Sequence, residues 1–336
     1  ASLEIFRLIP AKKRIMVGDK QQNIYSFNQT INGFNALSQE GRLLSLSQSF
    51  RVSDQISPYV ENFCRKFLDK NMVFNGVKYQ EPVKQSEATF FYISRTNAGV
   101  VRRMIELDEM NIKYNLTRPV KTLFALPLLL LRIKKDPSHE ITLPEYTFLK
   151  EDMEKYVNNQ KLQDNFPNPI SYIEDLHSDD ISIVTAANLI KRFSPQGIVT
   201  AYNNALEHEK HPETHKVTVT SAHSSKGLES TVVYIEDDLN KALTITIEKF
   251  NNAVHEKIVK DKEVLGNAFN PKDKKYELFD IENPNMELLN NKQIEEFRLY
   301  YVAVTRAMLQ VHNAEWLEEP EISTTFSLIT NRGDFE

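Results

Sequence analysis

Val217-Thr-Val-Thr-Ser-Ala-His-Ser-Ser-Lys-Gly-Leu-Glu229, with Val232-Val-Tyr-Ile235 close behind it, is the stretch that decides how the fold is read. Val217 to Thr220 alternates apolar and polar side chains, as a half-buried strand does. Val232 to Ile235 is a second short apolar run, and the polar loop between them holds His223, Lys226 and Gly227. The same order of apolar run and polar cluster recurs in Thr89-Phe-Phe-Tyr-Ile-Ser94 before Arg95-Thr-Asn97, and in Arg14-Ile-Met-Val17 before Gly18-Asp-Lys-Gln-Gln22. Leu43 to Leu46 predicts a further strand. Ile56, Tyr59, Val60, Phe63 and Phe67 fall at helical spacing, as do Ile294, Phe297, Tyr301, Val304 and Met308. Strands interleaved with helices predict an α/β fold with parallel sheets. Such sheets bind ligands at the carboxyl ends of their strands, so the three polar clusters are expected to carry the function.

Outward from these strands, residues 116–205 read as mostly helical, with no evident chemistry. Residues 238–292 are rich in Asn, Lys, Asp and Glu and read as an extended surface insertion. The 336 residues, 41% of them hydrophobic, suffice for two or three domains. The most apolar stretch, Leu123 to Leu131, is too short to span a bilayer. A single cysteine, Cys64, excludes an internal disulfide and a multi-cysteine zinc site. The expectation is an intracellular protein: cytoplasm or nucleoid in a bacterial or phage setting, nucleus in a eukaryotic one. The net charge of −5 hides an asymmetry. Residues 1–130 carry 18 Lys and Arg against 11 Asp and Glu, and the remainder 23 against 35. That leaves room for a phosphate-binding groove in the first part, and equally fits a solvated surface.

Gly18 allows a tight turn, and Asp19 suits a helix N-cap. Gln22 carries a neutral amide able to donate to a phosphate or position a water. Tyr25 and Phe27 read either as core residues or as stacking surfaces for bases. Arg51 and Arg306 read either as surface ion-pair partners or as cations brought to a phosphoryl group in its transition state. His223 reads either as a satisfied structural histidine or as part of a loop that touches a polyanion. On the residues alone these pairs of readings stay open.

Five segments in order bear a resemblance that separates them. Val17-Gly-Asp-Lys-Gln-Gln-Asn-Ile-Tyr-Ser-Phe27 resembles motif III of the UvrD/Rep-like superfamily 1 helicases. Leu46-Ser-Gln-Ser-Phe-Arg51 resembles motif IV, Ser94-Arg-Thr-Asn-Ala98 motif IVa, Val219 to Glu229 motif V, and Glu295-Glu-Phe-Arg-Leu-Tyr-Tyr-Val-Ala-Val-Thr-Arg-Ala307 motif VI. The wording of Gln48-Ser-Phe-Arg51, Glu236-Asp-Asp238 and Tyr301 to Ala307 is similar to the F-box DNA helicase branch and its bacterial or phage relatives. The resemblance implies RecA-like parallel sheets with a mostly helical insertion. Residues 1–42 would finish a first RecA-like domain, 43–115 and 206–330 would form a second, and 116–205 would be an accessory insertion. It implies ATP and Mg²⁺ as cofactors, single-stranded DNA and duplex junctions as partners, and 3′ to 5′ movement on the strand. It implies that Gln22, Arg51 and Arg306 are catalytic. Phe50, Gly227 and Glu229 join Arg51 and Arg306 at the nucleotide, and Tyr25, Phe27, Arg95, Asn97 and His223 meet DNA. Two positions depart from the family's pattern: Asn28-Gln-Thr30 stands where Arg-Gly-Ala is usual, and Ser230 where an aromatic is usual.

No phosphate-binding G-x-x-x-x-G-K-[ST] run occurs in the 336 residues. The expectation is therefore a C-terminal portion of a helicase, inactive alone, with the phosphate loop and Mg²⁺ ligands in a preceding part. A DNA- or partner-binding remnant without ATPase is the first alternative. The motor of a helicase-nuclease is the second, disfavoured by the short stretch after Arg306.

Overall fold

The structure is a computed structural model and describes residues 2–24, 42, 44–79, 84–210, 215–266 and 269–318. A short helix, α1 (Ser2–Leu8), opens the chain. Strand β1 (Gln48–Ser53) lies parallel to β2 (Asn75–Val77), with helix α2 (Ser57–Phe67) between them in sequence. Strand β3 (Phe90–Ser94) leads to helix α3 (Asn97–Glu109) and strand β4 (Tyr114–Leu116). Helices α4 (Val120–Leu123), α5 (Ala125–Lys135), α6 (Phe148–Val157), α7 (Gln160–Asn165), α8 (Pro169–Leu176), α9 (Ile181–Arg192) and α10 (Pro195–Lys210) follow. Strand β5 (Val217–Ser221), the single turn α11 (Ala222–Ser225) and β6 (Ser230–Ile235) come next. Helices α12 (Asp237–Leu265) and α13 (Asn291–Val304) then lead to β7 (Ala307–His312).

Strands β3 to β7 form one parallel sheet in the order β4-β5-β3-β6-β7. Both faces are covered, as parallel sheets require. The two-residue period of a strand sends Phe91 and Ile93 to one face and Tyr92 to the other. On the first face they join Val233 and Ile235 beneath α2, α12 and α13; on the second, Tyr92 joins Val217 and Val219 beneath α3 and the helices up to α10. Helix α3 leaves β3 on the second face, whereas Ala222, just after β5, is buried on the first. Chain therefore departs from adjacent strands to opposite faces, which opens a crevice at their carboxyl ends.

The expected α/β class and the strands at 89–94, 217–220 and 232–235 are present. Other expectations are corrected. The strand read at Leu43 to Leu46 forms instead at Gln48–Ser53, where β2 supplies a partner and Val52 is buried, while Leu44 and Leu46 stay exposed. Arg14 to Val17 is not a strand: among the described residues no strand pairs with it, and Ile15 and Val17 are exposed. The helical block shares its core with the second sheet face, and a division at 115/116 cuts β4. Residues 238–292 are packed into the core mainly at their start; from 255 on the described residues are mostly exposed, with Tyr276, Phe279 and Leu289 buried. They begin with the 29-residue α12, whose Leu239, Leu243 and Ile247 lie in the core with Phe279 and Leu289. The polar composition had masked a stripe of apolar residues at helical spacing. Met308 belongs to β7, not to the preceding helix.

Candidate nucleotide cleft and nucleic-acid track

Asp19 caps the one-turn 3-10 helix Lys20–Gln22, accepting from the Gln21 amide at 2.8 Å. Its other oxygen takes the Gln22 Nε2 donor at 3.1 Å and the Tyr301 hydroxyl at 2.8 Å. Tyr301 stands on α13, which starts with a reciprocal capping box between Asn290 and Gln293. The motif III turn is thereby fastened to the motif VI helix. Lys226 adds a third anchor, donating from Nζ to the Gln22 carbonyl at 2.7 Å. Gly227, with φ +89°, turns the loop away directly afterwards, a conformation that an L side chain strains.

Arg306 occupies the turn between α13 and β7 and is 1% exposed. It is among the largest fully buried side chains, which does not fit a surface ion-pair partner. Its donors go to neutral acceptors: Nε to Val302 O at 2.8 Å, Nη1 to Leu228 O at 3.2 Å and Nη2 to Thr305 Oγ1 at 3.2 Å. Among the described residues no carboxylate reaches ion-pair distance of it. Burial first, and the nearby charge of Arg51 second, push its guanidinium down to about 10. Burial and Arg306 likewise lower the Lys226 ammonium. Arg51, on β1, donates from Nε to Glu229 Oε2 at 2.8 Å and its own carbonyl accepts from Tyr79. Among the described residues Glu229 Oε1 accepts no bond. Phe50, beside Arg51, is 86% exposed, a large apolar ring left at the rim. Gln22, Arg51, Gly227, Glu229 and Arg306, expected together, are thus close; Tyr25 and Phe27 lie outside the described residues.

The second cluster lies at the carboxyl ends of β3 and β5. Arg95 makes a two-pronged ion pair with Glu296 of α13, Nε to Oε2 at 2.6 Å and Nη2 to Oε1 at 2.7 Å. Its backbone amide and that of Thr96 donate to Asp238, which the Thr96 hydroxyl also reaches at 2.8 Å. Burial raises the Asp238 carboxyl against the lowering effect of these bonds. Gly99 is required here, because a Cβ would collide with the Asp238 carboxylate. Asn97 Nδ2 donates to Thr122 O at 3.3 Å. His223 Nε2 lies 3.8 Å from Glu295 Oε1. Burial, then Arg95 and Arg118, push its imidazole down to about 4, so it is neutral at pH 7.

With motifs III, V and VI in contact, the comparison with known families is specific. The UvrD-like helicase C-terminal domain matches residues 20–311. The chain belongs to the UvrD-like helicase family. No curated protein matches it. The parallel α/β architecture of this UvrD-like chain is the RecA-like one expected from the motifs, and the family is one of DNA-binding helicases. Among the described residues no helix is long and apolar enough to cross a membrane. No three His, Cys, Asp or Glu side chains gather there in a cluster that could hold a metal ion. Motif spacing did not single out Tyr301, the tie between Asp19 and the motif VI helix, or Glu296, the partner of Arg95. It also passed over Arg118, whose Thr117-Arg-Pro119 setting carries no recognisable signature.

Proposed function

We propose that this chain is the sensing and coupling part of an ATP-driven helicase that moves 3′ to 5′ along single-stranded DNA. The observation that carries the reading is Arg306, a buried guanidinium bonded, among the described residues, only to carbonyl and hydroxyl oxygens beside the second cation Arg51. Burying a charge without a counter-ion is costly, and gathering like charges adds to the cost. Such a site is stabilised when an anion enters it. A nucleoside triphosphate supplies that anion, and charge developing on its γ-phosphoryl group would meet Arg306 and Arg51. Gln22, held by Asp19, would contact the same group. Phe50 would stack on the base, and the open oxygen of Glu229 would accept from the ribose. Mg²⁺, when bound, neutralises phosphate charge, and its ligands belong to a phosphate-loop domain outside these residues.

Coupling follows from α13. Its Tyr301 holds the Gln22 turn, Arg306 lies just past its end, and Glu296 near its start holds Arg95. Glu296 is about eight residues, roughly 12 Å of helix, from the end of α13 that Arg306 follows. A shift of α13 on phosphate release reaches the DNA side as a rigid-body movement. Tyr25 and Phe27 would follow Gln22 and stack on bases.

The test is ATP hydrolysis by the full-length gene product, with and without single-stranded DNA. DNA should stimulate hydrolysis, and Arg51→Ala should lower kcat by about 10³-fold, the contribution of an arginine finger, while leaving DNA binding intact. Hydrolysis indifferent to DNA, or undiminished in Arg51→Ala, rules the reading out.

A further inference from the structure

Two arginines act on His223 at the crevice, Arg95 and Arg118, and their surroundings differ. Arg95 has its fork on the Glu296 carboxylate. A phosphate at that fork must displace a carboxylate of like charge and similar geometry. Arg118 sits in the turn between β4 and α4, and its Nε donates to Ser224 Oγ at 2.7 Å. Ser224 is in turn bonded to Ser221 at 3.1 Å. Among the described residues neither Nη of Arg118 has an acceptor and no carboxylate lies within ion-pair distance.

The turn that carries Arg118 is rigidly based. Thr117 and Thr220 share a hydroxyl hydrogen bond at 2.6 Å, tying it to β5, and Pro119 follows with φ −56° and ψ 137°. Asn97 reaches helix α4, which follows that turn, through Thr122 O, and Lys121 of the same helix is exposed. Arg118 and Lys121 are near neighbours in the chain, and Asn97 touches the helix that carries Lys121, on the carboxyl side of the sheet, where adjacent strands send their chain to opposite faces.

We propose that Arg118, not Arg95, is the arginine that grips the sugar-phosphate backbone of a single strand at this edge, and that Arg95 is a positioning residue which fixes α13 to the sheet. The proposal rests on the nucleic-acid half of the function above. The Ser224 bond places the gripping arginine under control of the loop that carries Lys226, which itself holds the Gln22 carbonyl. The nucleotide side and the phosphate grip are then joined through one loop.

Fluorescence anisotropy of a labelled oligo(dT), titrated with the full chain over a range of salt concentrations, tests this. Each phosphate contact on a single strand contributes about −0.7 to the slope of log K against log salt. Arg118→Gln should weaken binding roughly tenfold, as loss of a charged hydrogen bond does, and make the slope shallower by about 0.7. Arg118→Lys should keep the slope and lose affinity, because the charge stays and the fork is lost. The double variant Arg95→Gln, Glu296→Gln should keep the wild-type slope. An unchanged slope in Arg118→Gln, wild-type affinity in Arg118→Lys, or a shallower slope in the double variant overturns the assignment. Wild-type chain that fails to bind oligo(dT) overturns the nucleic-acid half of the function along with it.

Discussion

The cleft and the track use the same residue type in opposite ways. In the track, Arg95 meets a carboxylate prong for prong, and the pair is closed on itself. In the cleft, Arg306 is 1% exposed and, among the described residues, meets only carbonyls and a hydroxyl, with its guanidinium lowered to about 10 by burial and Arg51. A closed pair fastens elements together; an open one creates demand for an anion. The difference shows why an arginine's place in a motif does not fix its job. The partner supplied by the fold does.

Parallel substitutions sharpen the contrast. The largest effect is expected at Arg306. Arg306→Met should lower ATPase of the full-length product by about 10³-fold or more, while thermal unfolding of the chain stays level or rises, because a buried charge that Asp19 and Glu229 offset only from beyond ion-pair distance is removed. A fall in melting temperature together with retained ATPase would break the comparison. At Arg95 the same change should act on stability. Arg95→Met strands the half-buried Glu296, and chemical denaturation should show a loss of about 1–3 kcal/mol, the cost of leaving a hydrogen-bonded charged group without its partner. Stability equal to wild type there would mean that the pair does not hold α13.

The acid limb of stability gives a third measure. His223 is held at about 4, below its ordinary 6.5, so the unfolded chain binds the extra proton between those values. The stabilisation is complete above the unfolded value and is lost as pH falls toward 4. It amounts to roughly 3 kcal/mol at most, at 1.36 kcal/mol per unit. His223→Gln should flatten that part of the stability–pH curve, and an unaltered acid limb would place the titration elsewhere. The smallest effect is expected from Tyr301→Phe, which removes the hydroxyl from Asp19 and should cost about 1.5–3 kcal/mol, as hydrogen bonds to charged groups do. If urea midpoints do not move, Asp19 is held by Gln21 and Gln22 alone.

Much of this was legible in the sequence. Alternation in Val217 to Thr220 and the apolar run Val232 to Ile235 located two adjacent parts of the sheet, because a buried parallel strand has few other compositions open to it. The polar clusters after those runs hold the candidate site residues, since strand ends are where a sheet leaves its backbone exposed to ligands. Short apolar runs with no neighbour misled: Arg14 to Val17 and Leu44 to Leu46 have strand-like side chains, but a strand exists only by its pairing. The start of α12 misled in the other direction, with a surface-like composition over a buried helical stripe, while the residues after it are mostly exposed, as their composition implies.

The sequence by itself determined the parallel α/β class, the helicase family and the set of charged residues available to the site, because these depend on local periodicity and on ordered motifs. Only the tertiary structure decided which cations are neutralised. Glu296 lies 201 positions from Arg95, and Ser224 lies 106 from Arg118. The chain brings those groups within hydrogen-bond reach only when β3, β4, β5 and α13 converge on one edge of the sheet. Electrostatic compensation falls off over a few ångströms, so the order of residues along the chain could not reveal it.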